Sequence, residues 1–104
     1  MQNISAEELK QRLEKNEKLN LVDVREPDEN AAFNIGGTLI PLGKIQAMQI
    51  EEIENLKENE VIFYCRSGSR SMIACLFLES FGFKNTKNLG GGMLEWQKKF
   101  DNGR

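Results

Sequence analysis

Short apolar runs alternate along this chain with stretches of helical length, and that alternation constrains its fold more than any other feature. Val61-Ile62-Phe63-Tyr64 is the most strand-like run, and Leu19 to Val24, Thr38 to Ile40 and Thr86 to Leu89 offer three other short ones. Between them the period changes. Ser5-Ala6-Glu7-Glu8 has the form of a capping box, and Leu9 and Leu13 continue it at helical spacing, which predicts a helix from residue 6 to about 15. Pro27 starts a short helix over Asp28 to Phe33. Ile45 to Lys57 reads as an amphipathic helix, with Ile50, Ile53 and Leu56 on one face and Glu51, Glu52, Glu54 and Glu58 on or near the other. Ser71 to Phe81 is nearly continuous apolar and should be buried all round. Met93 to Phe100 supplies a last helix, with Met93, Trp96 and Phe100 facing inward. Strands alternating with helices imply an α/β domain, with a parallel sheet, right-handed crossovers and helices on both faces.

The 104 residues suit one domain, expected over 1–104 with its core at about 4–100. Fourteen Lys and Arg against sixteen Asp and Glu leave a net charge of -2, so no global field draws the chain to nucleic acid or to an anionic membrane. The amino terminus lacks a basic, apolar leader and no run is long enough to span a bilayer, which makes the cytosol the expected compartment. The sequence contains no histidine. That excludes Ser-His-Asp and Cys-His catalysis and removes the commonest transition-metal ligand. Two cysteines alone make no structural zinc site, and in a reducing compartment they are expected as free thiols.

In open parallel sheets, reactive groups lie beyond the carboxyl ends of strands, where loops enter helices. One such loop dominates. Cys65 directly follows Val61 to Tyr64, and Cys65-Arg66-Ser67-Gly68-Ser69-Arg70-Ser71 opens into the apolar helix. A short glycine-containing loop at a helix N-terminus turns several amides toward its centre and forms an anion nest. Helix dipole, amides, Arg66 and Arg70 are all expected to favour a charged sulfur, so Cys65 should be largely thiolate at neutral pH. That activates a nucleophile with no imidazole beside it. The competing structural reading, a core cysteine in a turn, fits poorly with two arginines and three serines. Cys75, among Ala74, Leu76 and Phe77, is the opposite case and reads as core packing.

Other features carry weaker signals. Asp23 and Arg25 end the first long strand on the same sheet edge as the loop, and a salt bridge or loop brace is favoured over direct catalysis. Gly90-Gly91-Gly92 lacks the Lys-Ser/Thr that follows in a nucleotide-binding P-loop, so it reads as a turn with positive φ. The glutamates at 51 to 60 read as a solvated face, with an acidic docking surface as the alternative.

Three segments together resemble the single-domain rhodanese family of sulfurtransferases. They are Leu21-Val22-Asp23-Val24-Arg25-Glu26, the Cys65 to Ser71 loop, and Asn88-Leu89-Gly90-Gly91-Gly92-Met93-Leu94-Glu95-Trp96. The resemblance spans Ile4 to Trp96. It implies a three-layer domain with a central, mainly parallel sheet of about five short strands flanked by helices on both faces. It also implies transfer of a sulfane sulfur through a Cys65 persulfide, from a small anionic or persulfide donor to a thiol, cyanide or protein acceptor, with no cofactor. On this resemblance Arg66 attracts the donor, Ser67, Ser69 and Ser71 are candidates to donate hydroxyls to sulfur, Gly68 permits the turn, and Arg70 braces the helix start. A persulfide-carrying interaction module with little small-molecule turnover is the alternative. Cysteine phosphatases and arsenate reductases have a similar loop with five residues between Cys and Arg, whereas four separate Cys65 from Arg70. Where the family often has Gly-His-Ile-x-Gly-Ala, this chain has Phe33-Asn34-Ile35-Gly36-Gly37-Thr38. Asn34 is expected to keep a hydrogen bond the histidine would make, with the shape of that pocket rim altered.

Overall fold

A computed structural model of the protein describes residues 1–101; the end of the expected domain, residues 102–104, lies outside them. Five strands, β1 (Gln2–Ile4), β2 (Leu21–Asp23), β3 (Thr38–Leu39), β4 (Glu60–Tyr64) and β5 (Asn85–Leu89), form one sheet in the order β1-β5-β4-β2-β3. Every neighbouring pair is parallel. The helices are α1 (Ala6–Glu14), α2 (Pro27–Ala32), α3 (Leu42–Gln46), α4 (Ser69–Glu79) and α5 (Gly92–Trp96), the last running on into a wider turn at Gln97–Asp101. Among the described residues no helix is long and apolar enough to cross a membrane.

The central strand explains the two-sided core. Side chains alternate along a strand, so β4 sends Val61 and Phe63 to one face and Ile62 and Tyr64 to the other, all fully buried. The first face packs with Val22, Val24, Ile45, Ala74, Cys75 and Leu78 under α3 and α4. The second packs with Ile4, Leu9, Leu89, Met93 and Trp96 under α1 and α5. A strand buried on both faces is why Val61 to Tyr64 is uninterruptedly apolar.

The predicted helix over Ile45 to Lys57 is not present. Helix α3 stops at Gln46, Met48 takes a left-handed backbone at φ 59°, and the chain continues through turns into a 3₁₀ helix at Glu54–Leu56. The end of α3 supplies the reason. The left-handed Met48 lets its own N–H bond the Ile45 carbonyl and the Gln49 N–H bond the Lys44 carbonyl, at 2.9 Å each. That closure takes up the last helical carbonyls and turns the chain so that Ile50 and Ile53 are buried as Ile45 is. Strand β1, absent from the sequence reading, pairs Gln2, Asn3 and Ile4 with Lys87, Asn88 and Leu89 of β5. Helix α4 is also not buried all round. Ser71, Ala74, Cys75 and Leu78 face the core, while Met72, Ile73 and Leu76 are 41%, 45% and 53% exposed.

Strand β2 is followed by a strand to one side of it and β4 by a strand to the other side. Loops leaving their carboxyl ends therefore diverge and open a crevice at the switch point between them. Asp23 ends β2 and Cys65 follows β4, so both stand at that edge.

Candidate active site

Cys65 is only 1% exposed, yet it is not an inert core thiol. Gly68, at φ 102°, occupies the left-handed region that side-chain-bearing residues avoid and caps α4. That turn folds the chain back over the sulfur. Cys65 Sγ accepts hydrogen bonds from the Gly68 N–H at 3.1 Å, the Ser71 N–H at 3.4 Å and the Ser71 hydroxyl at 3.4 Å. Burial pushes the thiol pKa up, but the Ser71 hydroxyl and the amides of Ser71, Gly68 and Ser67 outweigh it and leave the thiol below its ordinary value. Cys75 has burial without that set of donors, and its thiol is pushed up to about 12.

The remaining loop residues divide into those that face the sulfur and those that do not. Of the three serines proposed to donate hydroxyls to sulfur, Ser71 alone reaches it among the described residues. The Ser67 and Ser69 hydroxyls are exposed and lie 3.4 Å from each other. Among the described residues neither arginine hydrogen-bonds to the sulfur, and Arg70 makes the brace expected of it. Arg70 forms a two-pronged pair with Glu29 of α2 at 2.8 and 2.9 Å, bracing the start of α4 and holding the Glu29 carboxyl down at about 2. Hydrogen bonds from the loop are what lower the thiol. Arg66 is exposed and lines a cavity of about 250 Å³ with Phe33, Met93 and Leu94.

Asp23 and Arg25 form the brace that their positions suggested. Both are buried. Arg25 Nε and Nη2 donate to Asp23 Oδ1 and Oδ2 at 2.9 and 2.8 Å, and Nη2 also donates to the Phe33 carbonyl at 2.6 Å. Asn30 of α2 donates to Asp23 Oδ2 at 2.9 Å. The pair thus ties the end of β2 to α2 and to the rim segment after it. On that rim Asn34 donates to the Asn30 carbonyl at 2.9 Å and accepts from the Gly36 N–H at 2.8 Å, which closes the turn without an imidazole.

Residues 5–99 match the rhodanese-like domain family. The chain belongs to that family. It is 44% identical over 96 residues to a putative sulfurtransferase, YtwF, of Bacillus subtilis, with 90% of this chain and 88% of the relative covered. A sulfurtransferase of Allochromatium vinosum is 40% identical over 96 residues, covering 91% and 87%. The crystal structure of a rhodanese-like domain protein from Staphylococcus aureus superposes with a TM-score of 0.81 at 31% identity, covering 92% of this chain and 91% of that one.

In this rhodanese-like domain the sequence reading overlooked two contributors to the loop. The first is the role of the glycine turn. Gly92 has φ 57°, and a Cβ there would lie 2.5 Å from the Cys65 carbonyl oxygen and 2.6 Å from that of Arg66. Its absence lets the first turn of α5 approach, so that the Met93 and Leu94 amides donate to those two carbonyls at 2.9 Å each. The second is Asn88, buried near the end of β5, which donates to the Gly68 carbonyl at 3.1 Å and accepts from Ser71. A signal for it existed: Asn is disfavoured inside strands, and this one stands at the carboxyl end of a strand beside the loop.

Proposed function

We propose that this rhodanese-like sulfurtransferase carries the sulfur on Cys65. The observation that supports it most is the convergence of two amides and one hydroxyl on a buried sulfur whose thiol pKa is lowered in consequence. The Cys65 thiolate attacks the sulfane sulfur of an anionic donor such as thiosulfate, a new S–S bond forms, the donor's own S–S bond breaks, and sulfite leaves with the electron pair. The persulfide's negative charge then resides on the outer sulfur. Its place beside the nest of amides favours that charge. An acceptor thiolate, cyanide or a protein cysteine attacks the outer sulfur, and Cys65 leaves as thiolate, so the site is regenerated without a proton shuttle or a cofactor. Arg66 at the cavity mouth draws in the anionic donor, and the backbone at Gly68 shapes the nest. Both cysteines are free thiols, which suits a cytosolic setting.

Treatment with thiosulfate should add the mass of one sulfur to the Cys65 peptide, and Cys65→Ala should reduce thiosulfate:thiol turnover to background. Full turnover by Cys65→Ala, or an added sulfur found only elsewhere, would overturn the assignment. One observation favours a protein among the acceptors: Met72, Ile73 and Leu76, in the α4 turns after Ser71, are exposed apolar side chains. Under that reading an acceptor protein's cysteine takes the outer sulfur directly from Cys65 and gains the mass of one sulfur, Cys65 leaves as thiolate, and transfer from free thiosulfate to small thiols is slow.

A further inference from the structure

Ser71 has one hydroxyl proton and two acceptors within reach. Its Oγ lies 3.4 Å from Cys65 Sγ and 2.5 Å from Asn88 Oδ1. A hydroxyl donates one hydrogen bond, so it cannot serve both at full strength. Asn88 is not free to turn away. Its Nδ2 donates to the Gly68 carbonyl at 3.1 Å, and flipping the amide would set its carbonyl oxygen against that carbonyl and lose the bond. The Oδ1 atom is therefore fixed toward Ser71. All three residues are buried, with Ser71 at 0%, Cys65 at 1% and Asn88 at 5% exposure, so no bulk water stands in when the proton leaves one acceptor for the other.

We propose that Asn88 is a positioning residue that sets the direction of the Ser71 hydroxyl, holding its proton away from Cys65 Sγ while the sulfur is uncharged and yielding it when the sulfur becomes a thiolate. In the thiol, Ser71 donates to Asn88 and turns an oxygen lone pair toward the S–H. In the thiolate, Ser71 turns to the sulfur and Asn88 Oδ1 loses its partner. Asn88 thereby opposes ionisation of Cys65, while the amides of Gly68 and Ser71 promote it. The inference rests on the reading of Cys65 as the sulfur carrier and extends it. Once a second sulfur is bound, the negative charge moves outward from Sγ and the Ser71 proton is free to return to Asn88. The device thus disfavours the empty thiolate relative to the loaded persulfide.

The charged groups on the surrounding elements are Arg66 on the loop, Arg70 on α4 with Glu29 on α2, the Asp23 and Arg25 pair at β2, Lys87 on β5, and Glu95 on α5. Among the described residues none of them hydrogen-bonds to Ser71 or Asn88. Their contribution is therefore common to all the variants below. The test is the Cys65 pKa, read from thiolate ultraviolet absorbance and from the pH dependence of alkylation, in four proteins: the parent, Asn88→Ala, Ser71→Ala and the double variant. Cys75, with its thiol at about 12, does not titrate in the same range. In the parent background Asn88→Ala should lower the Cys65 pKa by about one unit, the worth of one modest hydrogen bond, and in the Ser71→Ala background that fall should vanish. A plain anchor of the loop would do the opposite or be indifferent to Ser71. A rise in the parent background, no change there, or an equal shift in both backgrounds would overturn the proposal. Asn88→Val, a shape suited to a buried strand, carries the same cycle if the alanine variant does not fold. The measurement uses the free protein without donor. Failure of Cys65→Ala to abolish sulfur transfer would sink the functional reading and leave this result standing, and the reverse also holds.

Discussion

Cys65 and Cys75 are equally hidden, at 1% and 0% exposure, and belong to the same hydrophobic cluster. Their thiols nevertheless move in opposite directions, Cys65 below the ordinary value and Cys75 up to about 12. Burial pushes both upward, so burial does not separate a reactive cysteine from an inert one. Donor supply does. Cys65 lies at the N-terminal end of α4, where amides have no partner within the helix, while Cys75 lies in its middle, where every amide is already bonded. Reactivity here is a property of position along one helix.

Alkylation of the native protein at neutral pH reads the difference between the two thiols directly. Cys65 should be modified at least about a thousandfold faster than Cys75, as their thiolate fractions require, and Cys75 should react only after unfolding. Comparable rates read from peptide masses would remove the distinction. Next in size is Gly92→Ala, which directs a methyl group into the Cys65 and Arg66 carbonyls. It should cost about 3 kcal/mol in denaturant melts through crowding and backbone strain, and the surviving folded protein should show a raised Cys65 pKa. An unchanged thiol would mean that the clamp on the loop carbonyls does not reach the sulfur.

The pH dependence sharpens the contrast further. A lowered thiol pKa keeps the thiolate to lower pH, so transfer activity should fall as pH drops through the Cys65 pKa, in one step with no imidazole contribution. Ser71→Ala should move that acid limb upward by up to about one unit, seen in kcat/KM against pH. For Cys75 the sign reverses. A raised pKa means that the unfolded chain loses its proton first, so stability falls as pH rises from the ordinary thiol value toward about 12. Cys75→Ala, at a cost of about 1 kcal/mol near neutral pH, should remove that alkaline loss while leaving sulfur transfer intact. Paired denaturant melts at neutral and alkaline pH check both statements.

Much of this was legible in the sequence because it depends on local pattern. The uninterrupted apolar run of β4, the Ser5 N-cap of α1, whose hydroxyl accepts from the Glu8 N–H at 3.0 Å, and the cysteine loop opening a helix each need only neighbours in the chain. What was not legible depends on partners distant in sequence. Strand β1 is short and polar at Gln2 and Asn3, and becomes a strand only because β5 offers it an edge. Ile45 to Lys57 has apolar residues at helical spacing, yet the left-handed Met48 closes α3 and brings Ile50 and Ile53 into the core by turns, an ending that the apolar pattern does not state. The division of the loop serines could not be read from a string in which all three look alike. Asn88 lies 17 residues from Ser71, and the Gly92 amide turn 20 or more from the loop it holds.

That turn has a wider meaning for how a polar cavity is made from an uncharged backbone. Each peptide carries its N–H and C=O on opposite sides, so a loop presents donors inward only if its carbonyls are accommodated outward. The Met93 and Leu94 amides take two of those carbonyls, belonging to Cys65 and Arg66, at 2.9 Å each. The sulfur's positive surroundings are therefore a sorting of dipoles, imposed from behind by residues that never touch the sulfur. Grafting the seven-residue loop onto another scaffold without that backing would transfer the letters of the site and lose its polarity.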